Sequence, residues 1–327
     1  MIYFKNMMHP EGYHGHNKLS SFFEGWYFKL VDFSGKHRYA VIPGISLSQG
    51  DTGPHSFIQI LDGTTGASDY RSFPVETFSA QSDTLYITIG ENKFSAEGLA
   101  LNLPGDNMTL RGDIQFSKLH PWPITLTSPG IMGWYAWVPF MECYHGVLSF
   151  DHILSGSLQI NNHTVNFNNG RGYIEKDWGK SFPSGWIWMQ SNHFATPGTS
   201  FTASIAMIPW IRYSFRGFII GLLHNNHLYR FATYTGAKTV TLETSANKVS
   251  WTVVNRLHKL DIEARRAVAG NLRGPSRHDM TRRIPETLQA VISIKLSTLT
   301  GGQVLFEDSG IHGGLEIAGD QATLTGI

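Results

Sequence analysis

The sequence predicts an all-β fold made of two similar halves. Apolar residues alternate with polar ones at period 2 along the whole chain, 34 Gly and 13% aromatic residues suit short strands joined by tight turns, and several short motifs recur in order. Taken along the chain, the first strand expected is Phe22–Lys29. Its alternation sets Glu24, Trp26 and Phe28 on one face and Tyr27 and Lys29 on the other. Met108, Leu110, Gly112, Ile114 and Phe116 alternate in the same way, as do Tyr173, Glu175 and Asp177 against Lys176 and Trp178. Further strands are expected at 186–193, 200–208, 218–224, 227–234, 248–254 and 291–296, each bounded by turn residues.

The recurrences suggest duplication. Phe22-Phe23-Glu24-Gly25-Trp26 returns as Phe182-Pro183-Ser184-Gly185-Trp186, and Ala40-Val41-Ile42-Pro43 as Ala206-Met207-Ile208-Pro209. Phe57-Ile58 before Tyr70-Arg71 matches Phe218-Ile219 before Tyr229-Arg230, Met108–Phe116 echoes Thr287–Leu296, and His145-Gly146-Val147-Leu148 echoes His312-Gly313-Gly314-Leu315. The expectation is two antiparallel β-barrels or sandwiches, 1–165 and 166–327, with the boundary in the polar run Asn161–Gly172. The first half carries a Pro- and Trp-rich insertion, Leu119–Phe140, read as a lid or a bridge.

Composition narrows the function. With 26 Lys+Arg against 25 Asp+Glu the chain lacks the basic excess of a nucleic-acid binder. The exception is the arginine-rich run Arg265–Arg283, read as a solvated loop or a peripheral membrane contact. A single cysteine, Cys143, excludes an intrachain disulfide. Met1–Asn6 has no signal-like core and no stretch reaches the ~18 apolar residues of a membrane span, so the cytoplasm is the expected location. No H-E-x-x-H, phosphate-binding glycine loop or G-x-S-x-G elbow is present, so neither a metal nor a nucleotide cofactor is expected.

Three segments can carry chemistry. Glu24 between aromatic neighbours is either a carboxyl that desolvation would turn into a proton donor or a buried Glu bonded to backbone amides or an Arg that holds the barrel closed. Tyr173-Ile174-Glu175-Lys176-Asp177-Trp178 leads into Trp186-Ile187-Trp188-Met189-Gln190 and His193, an interleaving of indoles and polar groups that suits an apolar pocket wall and a developing carbocation. Glu142 and His145 are candidates for an acid/base pair, and His55 at a strand start is a further ligand-facing candidate.

On these same residues the chain resembles the tocopherol cyclase family: Phe23-Glu24-Gly25-Trp26-Tyr27-Phe28, Glu142 before Tyr144-His145, the run from Tyr173 to Gln190, Glu286-Thr287-Leu288, and Gly314-Leu315-Glu316-Ile317. Where the plant pattern carries Asn, this chain has Asp177. The resemblance implies two tandem lipocalin-like barrels, kinship with carotenoid hydratase and Diels–Alderase proteins, and a hydrophobic small-molecule substrate, a prenyl lipid. It implies cofactor-independent, acid-catalysed cyclisation or hydration, an isomerase or intramolecular lyase. In that reading Asp177 or Glu175, then Glu24, is the acid. His145 or His193 assists the attacking phenol or water, and Glu142 is the acid/base partner of His145. Trp26, Tyr27, Tyr173, Lys176, Trp178, Trp186, Trp188 and Gln190 line the ligand site. The alternative is a non-catalytic carrier of a hydrophobic small molecule.

Overall fold

The computed structural model describes residues 6–325 apart from Asp51, Phe140, Ile211 and Arg212; most of the amino-terminal stretch read for a leader, and the last residue of the insertion, lie outside them. Chain contacts divide the molecule into two units, Met1–Phe182 with Asn271–Ile284, and Pro183–Gly270 with Pro285–Ile327.

The first unit holds β1 (Phe23–Val31), β2 (Arg38–Ser46), β3 (His55–Asp62), β4 (Ser68–Phe73), β5 (Phe78–Ala80), β6 (Tyr86–Ile89), β7 (Asn92–Ser95), β8 (Gly98–Leu103), β9 (Leu110–Ser117), the two-residue pair β10 (Ile124–Thr125) and β11 (Ser128–Pro129), β12 (Cys143–Ile160), β13 (His163–Asn166) and β14 (Gly170–Gly179). Its sheet runs β4-β3-β2-β1-β14-β12-β9-β8-β7-β6-β5, with β13 beside β12. The first strand therefore pairs with the last, and the two edges, β4 and β5, are consecutive strands joined by the short turn Val75–Thr77. That arrangement is a barrel with one seam. The second unit repeats the plan with β15 (Gly185–Ser191), β16 (Ser200–Trp210), β17 (Tyr213–His224), β18 (His227–Ala232), β19 (Lys238–Ser245), β20 (Lys248–Val254), β21 (His258–Arg265), β23 (Arg282–Thr298, from Pro285 on) and β24 (Val304–Gly319), while the intervening β22 (Gly270–Gly274) belongs from Asn271 on to the first unit. Here β15 pairs with β24, and the seam falls at β18 and β19, joined by Thr233–Thr235. Two tandem lipocalin-like barrels of antiparallel strands are the result, as the sequence led us to expect.

Alternation determines what each strand buries. In the first unit Phe28 reaches Phe94 and Phe116, with ring centroids 5.6 and 6.1 Å away, so the even residues of β1 face the interior. In the second, Ile187 and Met189 of β15 join the core with Phe201, Ile205, Ile220 and Trp251.

Two expectations need correction. The division falls after Phe182 rather than near residue 165, because β14 is hydrogen-bonded on both sides, to β1 and to β12, and completes the first sheet. The recurring motifs do not all mark equivalent places: Trp26 points into its barrel, whereas Trp186 lies on the face of β15 opposite the core residues, the inversion that a one-residue change of phase produces. Likewise, counted along the sheet from the strand that pairs with the unit's first, Met108–Phe116 lies largely on the third strand, β9, and Thr287–Leu296 on the second, β23. Within the arginine-rich run Arg265, Arg277 and Arg283 are exposed, and several of its residues also meet protein groups. Gln59 brackets Arg273 by accepting from its amide at 2.6 Å and donating to its carbonyl at 3.1 Å, and the Arg273 guanidinium lies 4.7 Å from the Tyr70 ring centroid. Arg277 reaches Glu142, Arg282 donates to the Phe182 carbonyl, and Arg266 donates to the Pro285 carbonyl.

Candidate functional site

Because β14 lies between β1 and β12, its two faces carry two different clusters. The inward face presents Lys176 and Trp178 beside Glu24 and Trp26, since Trp26 pairs with Lys176 and Glu24 with Trp178 in the ladder. Glu24 and Lys176 have no exposed surface, and their charged atoms stand 2.5 Å apart. The strap Pro10–His14 completes the cluster. The His14 amide donates to both Glu24 oxygens at 3.1 and 2.9 Å, and the Lys176 ammonium donates to the carbonyls of Pro10 and Gly12. The His14 ring, 2.8 Å from the ammonium, stacks on Trp178 at 4.3 Å, and Trp178 stacks in turn on Tyr144. Burial alone would raise the Glu24 carboxyl, but the Lys176 ammonium and the His14 donors hold it below the ordinary range. Burial lowers Lys176 to about 8, and Glu24 opposes that shift. Glu24 is thus an ionised counterion rather than a proton donor, and Lys176 is its partner rather than a ligand contact. Trp26 and Trp178 flank the ammonium at 4.9 and 4.7 Å, so their faces are already used by a cation.

The outward face of β14 presents Tyr173, Glu175 and Asp177. The ladder sets His145 of β12 opposite Asp177, and Tyr27 of β1 opposite Glu175. The His145 Nδ1 is 2.8 Å from the Asp177 Oδ1, and its Nε2 is 3.7 Å from the Glu175 Oε2. The Tyr173 hydroxyl donates to that same Glu175 oxygen at 2.6 Å. One imidazole therefore stands between two carboxylates, with a phenol at the far end. Glu175 and Tyr173 are buried, whereas the Asp177 side chain retains 29% of its exposure. Among the described residues these three, His145, Glu175 and Asp177, form the one group whose possible metal-ligand atoms all lie within 4.8 Å of one another. The close His145–Asp177 contact shows how two of them are satisfied within the protein. Beside them, burial and the Asp177 and Glu142 carboxylates push the Cys143 thiol well above its usual range, which disfavours its thiolate.

Other candidates are placed elsewhere. Glu142 turns to Arg277, 3.4 Å away, while His145 turns to Asp177. His55 is buried, 2.7 Å from the Tyr70 hydroxyl and 2.8 Å from the Gly53 carbonyl, a structural role at the start of β3. In the second unit, Trp186, Trp188 and Gln190 share the face of β15 turned away from the core and are buried. The Trp186 Nε1 donates to Glu316 at 2.6 Å, and Glu316 stands directly across the ladder from the buried Glu286. Trp188 lies over Gly314, where any Cβ would meet its ring at 2.6 Å. His193 contacts Asn192 and His312.

Sequence reasoning passed over His14 and the Glu286–Glu316 pair as site residues. The H-x-H spacing of His14 and His16 was a signal for the first. His16 is exposed, and of the two it is His14 that joins the cluster.

Residues 100–319 match the model of a family described as tocopherol cyclase-like. A chloroplastic tocopherol cyclase of Zea mays is 28% identical over 161 residues, 44% of this chain and 31% of that one. A probable chloroplastic tocopherol cyclase of Oryza sativa subsp. japonica is 25% identical over 186 residues, 51% of this chain and 37% of that one. The chain thus spans about a third of the length of these curated relatives. Among solved structures, CghA has a TM-score of 0.58 at 10% identity, covering 93% of this chain and 90% of that one. A putative AttH from Nitrosomonas europaea gives 0.54 at 14%, covering 93% and 94%; kievitone hydratase from Nectria haematococca gives 0.50 at 13%, covering 91% and 89%. At these identities the likeness is one of fold.

Proposed function

The chain belongs to the tocopherol cyclase-like family, and from that premise we propose that it cyclises or hydrates an alkene of a prenyl lipid by acid catalysis without a cofactor. The observation that carries the reading is His145 of β12 held between Asp177 and Glu175, which share one face of β14 with Tyr173. Asp177 is the most accessible of the three, so it delivers the proton to the alkene carbon, leaving a tertiary cation. A hydroxyl of the quinol ring, or water, attacks that cation through oxygen. The proton it releases passes to His145 and back to the carboxylate pair, so cyclisation is a net isomerisation and hydration a net addition of water. The Tyr27 and Tyr173 rings share this face, while Trp186 and Trp188 are the candidate ligand-facing rings of the second unit.

The test is incubation with a panel of prenylated quinols and mass analysis of the products. A product of unchanged mass, or one heavier by a water, is expected. Asp177→Asn should lower its rate roughly 10²–10⁴-fold while the melting temperature stays within a few degrees, and a chelator should leave the rate alone. If Asp177→Asn and Glu175→Gln both turn over normally, the acid is misassigned. Lipid recovered bound and unaltered from every incubation makes the protein a carrier instead.

A further inference from the structure

We propose that the insertion between β9 and β12 docks on a lipid surface bearing anionic headgroups. The segment from Ser117 to Met141 contains no Asp or Glu, and its basic side chains are Lys118 and His120. The structure roots it and leaves its tip apolar. At the root, Trp122 is buried against Phe150 at 5.3 Å, and the Tyr144 hydroxyl donates to the Val138 carbonyl at 2.8 Å. At the tip, β10 and β11 form a hairpin of their own, and Trp137 Nε1 donates to the Leu126 carbonyl at 2.9 Å, tying the turn Gly133–Trp137 to the hairpin. Leu126 is left 67% exposed, Trp134 47% and Ile124 38%.

Water is a poor neighbour for such a tip. Leucine and isoleucine gain by entering acyl chains, an indole favours the boundary between chains and headgroups, and the segment's lysine, with no acidic residue in the segment to offset it, favours anionic phosphate. An acidic partner protein would also match the lysine, but the proposed substrate is itself lipid-soluble and the protein has to meet it where it is dissolved. The inference rests on the proposed function for that purpose only; binding to vesicles is measured without any turnover. It places a membrane contact on this insertion, besides the one expected of the arginine-rich run.

The test is flotation of the full chain with phosphatidylcholine vesicles, with and without phosphatidylglycerol. The protein should float with the vesicles, more so with the anionic lipid. The double variant Leu126→Glu, Trp134→Glu should lose the floated fraction about tenfold or more with an unchanged melting temperature, because neither side chain is buried. Val240→Glu, an equally exposed site in the second unit, should leave it unchanged. A wild-type chain that stays at the bottom of the gradient, a double variant that floats as wild type does, or equal loss from Val240→Glu each overturns the inference. Flotation of the predicted pattern without turnover of any prenylated quinol leaves it standing and removes the proposed function instead.

Discussion

A lysine with no exposed surface keeps its charge only where a counterion and carbonyls replace its water. At Lys176 these are Glu24 and the carbonyls of Pro10 and Gly12. Removing one partner leaves the other charged and dry, so Lys176→Met or Glu24→Gln should each cost about 3–5 kcal/mol in urea unfolding, and the double variant Glu24→Leu, Lys176→Met much less than their sum. His152 shows the opposite choice. It has no charged partner among its described contacts, its ring packs 4.6 Å from Phe116, and burial lowers its pKa to about 3. The folded state therefore binds this proton more weakly than the unfolded chain does. Stability from this group is complete above the ordinary histidine value near 6.5 and is lost as pH falls from there toward 3, by roughly 4–5 kcal/mol at the bottom of the window. In His152→Leu the acid limb of the stability profile should flatten; an unaltered limb would mean that other groups set it.

The element that matters most is β14. Its ladder partners allow Gly172 but no larger residue, since a Cβ there would come within 2.2 Å of the His152 ring. Gly172→Ala should destabilise by about 1–3 kcal/mol, and by clearly less in a His152→Ala background, a coupling that a double-mutant cycle reads directly. The faces of this strand were legible in the sequence, because period 2 alone separates Tyr173, Glu175 and Asp177 from Lys176 and Trp178. What they meet was not. His145 lies on another strand, and only the β12–β14 register sets it opposite Asp177 rather than near Glu142. Glu24 was read as a desolvated acid for the same reason: its counterion sits on the last strand of the unit, and nothing local announces that first and last strands are neighbours. The strap was missed because Pro10–His14 has no periodicity, and its contacts are backbone carbonyls and amides.

At the scale of the molecule, two barrels share one plan, each closed by pairing its first strand with its last and each with its seam after the fourth strand. Sequence recurrence pointed to that plan but placed its equivalences one residue or one strand out, because apolar alternation recurs in every strand and similar short matches arise at many registers. The arm Asn271–Ile284 breaks the symmetry, since it belongs to the first unit although the chain before and after it belongs to the second. A fragment ending at Phe182 lacks the arm's bonds to Gln59, Ser68 and Glu142. It should unfold at lower urea than the corresponding transition of the full chain; equal midpoints would make the arm an ornament. The same connectivity sets a timetable on the ribosome. When β1 emerges, the edge it must join has not yet been translated, and after β14 arrives the first barrel still waits for a segment encoded deep in the second half. Nascent chains should therefore carry an open, adhesive sheet edge through most of their translation, which makes this a protein expected to need chaperones early rather than late.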